Sequence, residues 1–213
     1  MKFAVLAGAT AIVATAAILS NTVPQAAETC HSDNALDDLE RAEIETLYDC
    51  AIDGLVAGWQ AAEHPVAMEY KEWAAASSYA AAVGAHANRL LYTYVNDVGA
   101  EQYLAFAEEG VEMPVGTVIA KESFNLHTKG DNKGNVRAGP LFLMEKVAAG
   151  TFDETANWKY TLITPKGKAW LESGVTDPEK VAQFCHDCHS ATEDFQDALY
   201  YPAFDARVEE VSN

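Results

Sequence analysis

Two thiols separated by two residues and followed at once by an imidazole form a compact chemical pattern. In Cys185-His186-Asp187-Cys188-His189 each thiol can add to one vinyl group along one edge of a haem, and His189 then lies beneath the iron as an axial ligand. This is the C-x-x-C-H spacing of c-type haem attachment. A zinc site and a thioredoxin-like redox pair are the rival chemistries. Zinc wants a fourth soft ligand at a matching spacing, and the redox pair wants a βαβ setting that this stretch lacks. His186 reads as an exposed residue inside the pattern. The expected cofactor is one covalently attached haem c with its iron, bound through Cys185 and Cys188 and ligated by His189.

What such an iron does depends on its opposite face. In electron-transfer cytochromes c that face takes a Met from downstream, and the 24 residues after His189 contain none. Upstream, Met68, Met113, Met144, His64, His86 and His127 are available, and plainer roles suit them: Met144 in an apolar strand, Met113 in a turn, His127 at a hairpin end in water. The reading is an open distal face, and with it binding or redox chemistry of a small molecule. The alternative is a six-coordinate electron carrier using an upstream Met or His.

The chain has 213 residues, 49% hydrophobic and 22% charged, with Lys+Arg 14 against Asp+Glu 32 and a formal charge of −18. That composition builds one folded core. It also repels phosphate backbones, and no basic block interrupts it, which excludes nucleic-acid binding. A soluble redox partner would meet this acidity with a basic patch. Met1-Lys2, a charge-free run over residues 3–19, and a tail ending in Ala26-Ala27 read as a cleavable signal peptide over residues 1–27 and an exported, periplasmic protein. An uncleaved anchor is the other reading of that run; once it is cleaved no stable membrane span remains. Outside the cytosol thiols oxidise, so Cys30 and Cys50 are expected to form a disulfide rather than stay separate.

The elements that must position the haem pattern follow from periodicity. Ser32-Asp33-Asn34 is a capping cluster, and Leu36, Leu39, Ile44, Leu47, Ala51, Leu55 and Trp59 form a helical stripe that ends before His64-Pro65. Residues 66–82 read as helical and then irregular. Strands are expected over 90–95, 117–124, 141–146 and 158–163, with the second and third paired as a hairpin and a turn at 164–167 leading back toward Ala169-Trp170. A short helix is expected over 100–109. Asp177-Pro178-Glu179 caps a last short helix that delivers Phe184 and the cysteines. The order gives an α+β fold, N-terminal helices followed by a mainly antiparallel sheet and a C-terminal haem-binding helix. The division is a signal peptide (1–27), an N-terminal helical segment (28–65) and a haem domain (66–213).

Several of these segments, taken in order, resemble the cytochrome P460 family. They are Tyr70-Lys71-Glu72-Trp73, Tyr92-Thr93-Tyr94-Val95-Asn96-Asp97, Pro114-Val115-Gly116-Thr117-Val118-Ile119-Ala120-Lys121-Glu122, Gly139-Pro140-Leu141-Phe142-Leu143-Met144-Glu145-Lys146, Asn157-Trp158-Lys159-Tyr160-Thr161 and the near-terminal cysteine pattern. The resemblance implies a mainly antiparallel domain, often a homodimer, holding one haem c with a vacant distal site. Its members oxidise hydroxylamine or, as in the related cytochromes c′-beta, bind nitric oxide and other diatomics. It also implies a role for Lys121, which stands where the hydroxylamine-oxidising members carry a lysine bonded to the haem edge. The residue-level alternative is an exposed ion pair between Lys121 and Glu145 across the hairpin, worth ~0–1 kcal/mol. A distal acid would accept protons as hydroxylamine is oxidised. Glu145, alternating with Leu143 and Leu141, is the candidate, with Arg89 and His86 as further distal residues.

Overall fold

The computed structural model describes residues 30–209, so the leader assigned to residues 1–27 lies outside them. Eight strands form one antiparallel sheet: β1 (Ala74–Ala75), β2 (Ala81–Val83), β3 (Arg89–Val95), β4 (Val118–Leu126), β5 (Val136–Ala138), β6 (Leu141–Lys146), β7 (Trp158–Thr164) and β8 (Lys168–Glu172). The main path runs β1-β3-β4-β6-β7-β8, with β2 on β3 and β5 on β4. With the helical segments this is the α+β class that the element order leads one to expect.

The central strands are apolar at most positions because both faces of the sheet are covered, and alternation sorts their side chains between two cores. In β4, Ala120 and Phe124 join one cluster and Ile119 the other. In β6, Leu141 and Leu143 go one way and Met144 with Phe142 the other. The first face is closed by α1 (Arg41–Gln60), whose buried residues Leu47, Ala51, Leu55 and Trp59 recur every four positions. Burying a side chain such as Leu55 stabilises the fold by ~1.5–3 kcal/mol. The Trp59 indole N–H donates to the Gly139 carbonyl at 3.0 Å, which locks the end of the helix to the sheet. Gly58 permits that approach, since a Cβ there would stand 2.4 Å from the Pro165 carbonyl oxygen.

The expected capping cluster acts differently from a cap. Helix α1 starts at Arg41 behind Glu40, with no side-chain cap, and Leu36–Asp38 is a separate 3₁₀ turn. Ser32 and Asn34 instead donate to the Glu43 carboxylate, bracing the first turn from the side. Between α1 and β3 the chain forms α2 (Pro65–Glu69), a 3₁₀ turn over Tyr70–Glu72 and the short strands β1 and β2. Those strands correct the irregular stretch expected there; two and three residues are too few to leave an alternation in the sequence. The helix expected over 100–109 is α3 (Ala100–Leu104), ended by Phe106 at φ 48°.

Cys30 and Cys50 form the expected disulfide, with Cα atoms 5.8 Å apart. It ties the first described residue to the middle of α1, and the Cys30 carbonyl accepts from Val136 N at 2.7 Å, extending the tie to the sheet. Reduction should lower the melting temperature by about 6–12 °C, from ~3 kcal/mol of lost chain constraint. Thermal melts with and without reductant measure this, and haem absorption below the transition should not change. Alkylation of both thiols in native, unreduced protein would contradict the bond. Among the described residues no helix is long and apolar enough to cross a membrane.

Candidate functional site

The second sheet face carries the cysteine pattern. Pro178 opens α4 (Pro178–Val181), and the Asp177 side chain caps it by accepting from Glu179 N at 3.0 Å, as the sequence leads one to expect. The chain then widens into a π-helical stretch over Ala182–His186 and runs on as a helical turn over Asp187–His189. Cys185, Cys188 and His189 thereby share one wall of a cavity of about 850 Å³. Thr93 of β3, Lys121 of β4 and Phe142 and Met144 of β6 line the sheet side, and His86 and Arg89 line it from the β2–β3 connection and the start of β3.

His189 is 6% exposed and held by three contacts. Its Nδ1 donates to the Ala198 carbonyl at 2.6 Å, and the rings of Tyr200 and Tyr160 meet it edge-on at 5.2 and 5.6 Å. A carbonyl only accepts, so the proton sits on Nδ1 and Nε2 keeps its lone pair for a metal. Burial, with the Lys121 charge adding to it, pulls the His189 pKa down to about 4, so the ring is neutral at neutral pH. The carbonyl is aimed by an unusual backbone: Asp197 and Ala198 take φ of 50° and 59°, a left-handed pair that costs of order 1–3 kcal/mol per residue. The Asp197 carboxylate holds it there, accepting from Lys146 Nζ at 2.6 Å and Met113 N at 2.9 Å. No sequence pattern pointed to Asp197 or to this role.

Cys185 is half-buried and Cys188 exposed, both as free thiols. Burial, with Cys188 nearby, raises the Cys185 pKa to about 12. Among the described residues no cluster of three or more His, Cys, Asp or Glu side chains could hold a metal ion, so the zinc reading lacks its ligand set. A large cavity with two thiols and one free imidazole nitrogen on a single wall, facing apolar strands, does suit a haem.

Lys121 lies inside the cavity and not on the surface. It is 6% exposed and donates to the Tyr200 carbonyl at 2.9 Å, and burial pushes its pKa down to about 8. Its cross-strand neighbour is Phe142, while Glu145 stands opposite Val118. The ion pair imagined between Lys121 and Glu145 therefore does not form. Glu145 shares the face of Leu143 and Leu141, and the nearest cation to it is Lys159 at 3.8 Å. The only carboxylate among the described residues lining the cavity is that of Asp187.

His186 also differs from expectation. It is 7% exposed, with Nδ1 3.3 Å from the Tyr160 hydroxyl and Nε2 3.2 Å from the Glu193 carboxylate. The π-helical stretch turns it inward, so it braces the cysteine segment. Of the upstream Met and His residues that could meet an iron, only His86 and Met144 line the cavity. Met68 is 58% exposed and Met113 is buried in the core.

Residues 67–201, most of the chain, match the cytochrome P460 family model. The chain belongs to the cytochrome P460 family. No curated protein matches it. Membership makes the protein a haem cytochrome, and the matched span contains every cavity residue named above.

Proposed function

We propose that this cytochrome P460 protein carries its haem covalently through Cys185 and Cys188, ligates the iron with His189, and binds or oxidises small nitrogen compounds such as nitric oxide and hydroxylamine. The observation that carries the reading is the free Nε2 of His189, fixed by the Ala198 carbonyl, on the same cavity wall as both thiols. Bound there, the haem supplies a redox-active iron that can take a small ligand. The chain supplies the rest: β3, β4 and β6 form an apolar wall that limits water, and Lys121 brings an amine of lowered basicity into it. Family resemblance supports a lysine bonded to the haem edge at Lys121. Residues 1–27 support export to a periplasm, and the charge of −18 supports a soluble redox partner with a basic face. A homodimer rests on the same resemblance.

The test is the absorption spectrum of ferrous holoprotein matured in a periplasm, before and after nitric oxide. Bands that change on adding the gas support the reading. Sharp low-spin bands that ignore nitric oxide and hydroxylamine would overturn it in favour of an electron carrier. His189→Ala should keep the haem attached but alter the ferrous spectrum; an unchanged spectrum would remove His189 as the ligand. The six-coordinate carrier remains the second reading because His86 and Met144 both line the cavity.

A further inference from the structure

His86 occupies an unusual position for an imidazole. It ends the 3₁₀ turn Gly84–His86 between β2 and β3. Its ring packs edge-on against Phe142 at 4.9 Å, and its Nδ1 is buried with no hydrogen-bond partner. No protein group among the described residues bonds either of its ring nitrogens. Across the cavity stands His189, with ring centroids 6.4 Å apart and planes at 75°.

That separation is informative. An imidazole nitrogen sits ~2.0–2.1 Å from a first-row metal, and a five-membered ring with bonds near those of the peptide unit has a radius of ~1.1 Å. Two imidazoles on opposite faces of one iron therefore hold their centroids about 6.3 Å apart, at any angle between their planes. The observed 6.4 Å matches. It is too short for a second ligand to fit between iron and ring. Phe142, also on the cavity lining, packs against the ring, and the segment carrying His86 continues through left-handed Ala87 and Asn88, a short connection rather than the interior of a strand.

We infer that His86 is a built-in, displaceable sixth ligand, closing the distal face until a small nitrogen ligand pushes it aside. This deepens the proposed function and rests on its haem and on His189. The apparent affinity for an outside ligand is scaled down by the fraction of molecules in which His86 is off the iron. If the ring is bound nine-tenths of the time, removing it should strengthen ligand binding ~10-fold.

The experiment uses ferric holoprotein with imidazole as the added ligand and nitric oxide as a second probe. Wild type should be low-spin before any addition, and His86→Ala should be high-spin and bind imidazole about tenfold more tightly. His86→Phe, which keeps an aromatic ring against Phe142, should also be high-spin and guards against a folding defect in the alanine variant. A high-spin wild type would overturn the inference while leaving the haem reading intact. Low-spin spectra retained in both variants would also overturn it and move the sixth position to another cavity donor such as Met144 or Lys121. A wild-type chain matured without haem would instead defeat the reading underneath.

Discussion

Changing Cys185 and Cys188 together to Ala should remove the two thioether bonds that hold the haem through acid extraction and denaturation. Attachment is expected to fall from nearly complete to what a bond at Lys121 alone retains, and to none once Lys121→Ala is added, read as haem-linked chain mass and as haem stain on a denaturing gel. The reason is geometric. Helical turns set both thiols beside His189 on one cavity wall, and two thioether bonds would be the covalent hold on the porphyrin edge. With the thiols gone, only the proposed His189–iron bond and any bond at Lys121 would remain, and an imidazole–iron bond does not survive acid. Each single variant should retain one bond and a shifted ferrous spectrum, because one vinyl group stays unsaturated. Haem retained by the double variant and released only when Lys121→Ala is added would locate a bond at Lys121. Retention in that triple variant would refute attachment by the cysteines.

Glu122→Ala should destabilise the fold by about 3–5 kcal/mol, the usual consequence of breaking a buried pair by removing one partner. Glu122 follows Lys121 in β4, and alternation sends it to the opposite face, beneath α1. There its carboxylate, 1% exposed, accepts from Tyr48 at 2.6 Å, Tyr70 at 2.8 Å and Lys71 at 2.9 Å. Burial works against the Lys71 charge, but Glu122 and Tyr94 outweigh it and hold the ammonium above its ordinary pKa. Removing Glu122 strands that ammonium together with the half-buried Tyr48 and buried Tyr70 hydroxyl donors. The loss should sit near the lower end of the range because the Lys71 side chain is 32% exposed and can turn toward water. For a domain of this size the melting temperature should fall by about 6–20 °C. Glu122→Gln, which keeps an acceptor, should cost less. A change under about 1 °C would show that water replaces the carboxylate. Because the cluster lies across the sheet from the cavity, the haem spectrum of Glu122→Ala should match wild type, separating stability from function.

The chemistry written in short stretches of sequence was legible because it depends on local spacing. Cys185, Cys188 and His189 lie within a few residues, so any helical turn brings them together. Asp177-Pro178 stops and starts a helix by its own backbone preferences. The stripe from Ile44 to Trp59 could bury itself only as a helix. The Cys30–Cys50 bond followed from two leftover thiols in a chain read as exported.

Other features depended on distant partners. Strand alternation gives parity, so Lys121 and Glu122 had to face opposite ways, but parity does not say which face holds the cavity. Lys121 and Glu145 looked like cross-strand partners until the register paired Lys121 with Phe142 and sent Glu145 to the helix side. His186 is inward because Tyr160 and Glu193 meet it, and the Asp197–Ala198 turn is held by Lys146. His86 was one of several possible ligands in the chain, and only folding set it 6.4 Å from His189. The sequence by itself determined which groups can hold a haem, because those groups are neighbours along the chain. Tertiary structure decided what His189 faces in the cavity, because His86 lies about a hundred positions away in the chain, and only strand register and packing bring the two together.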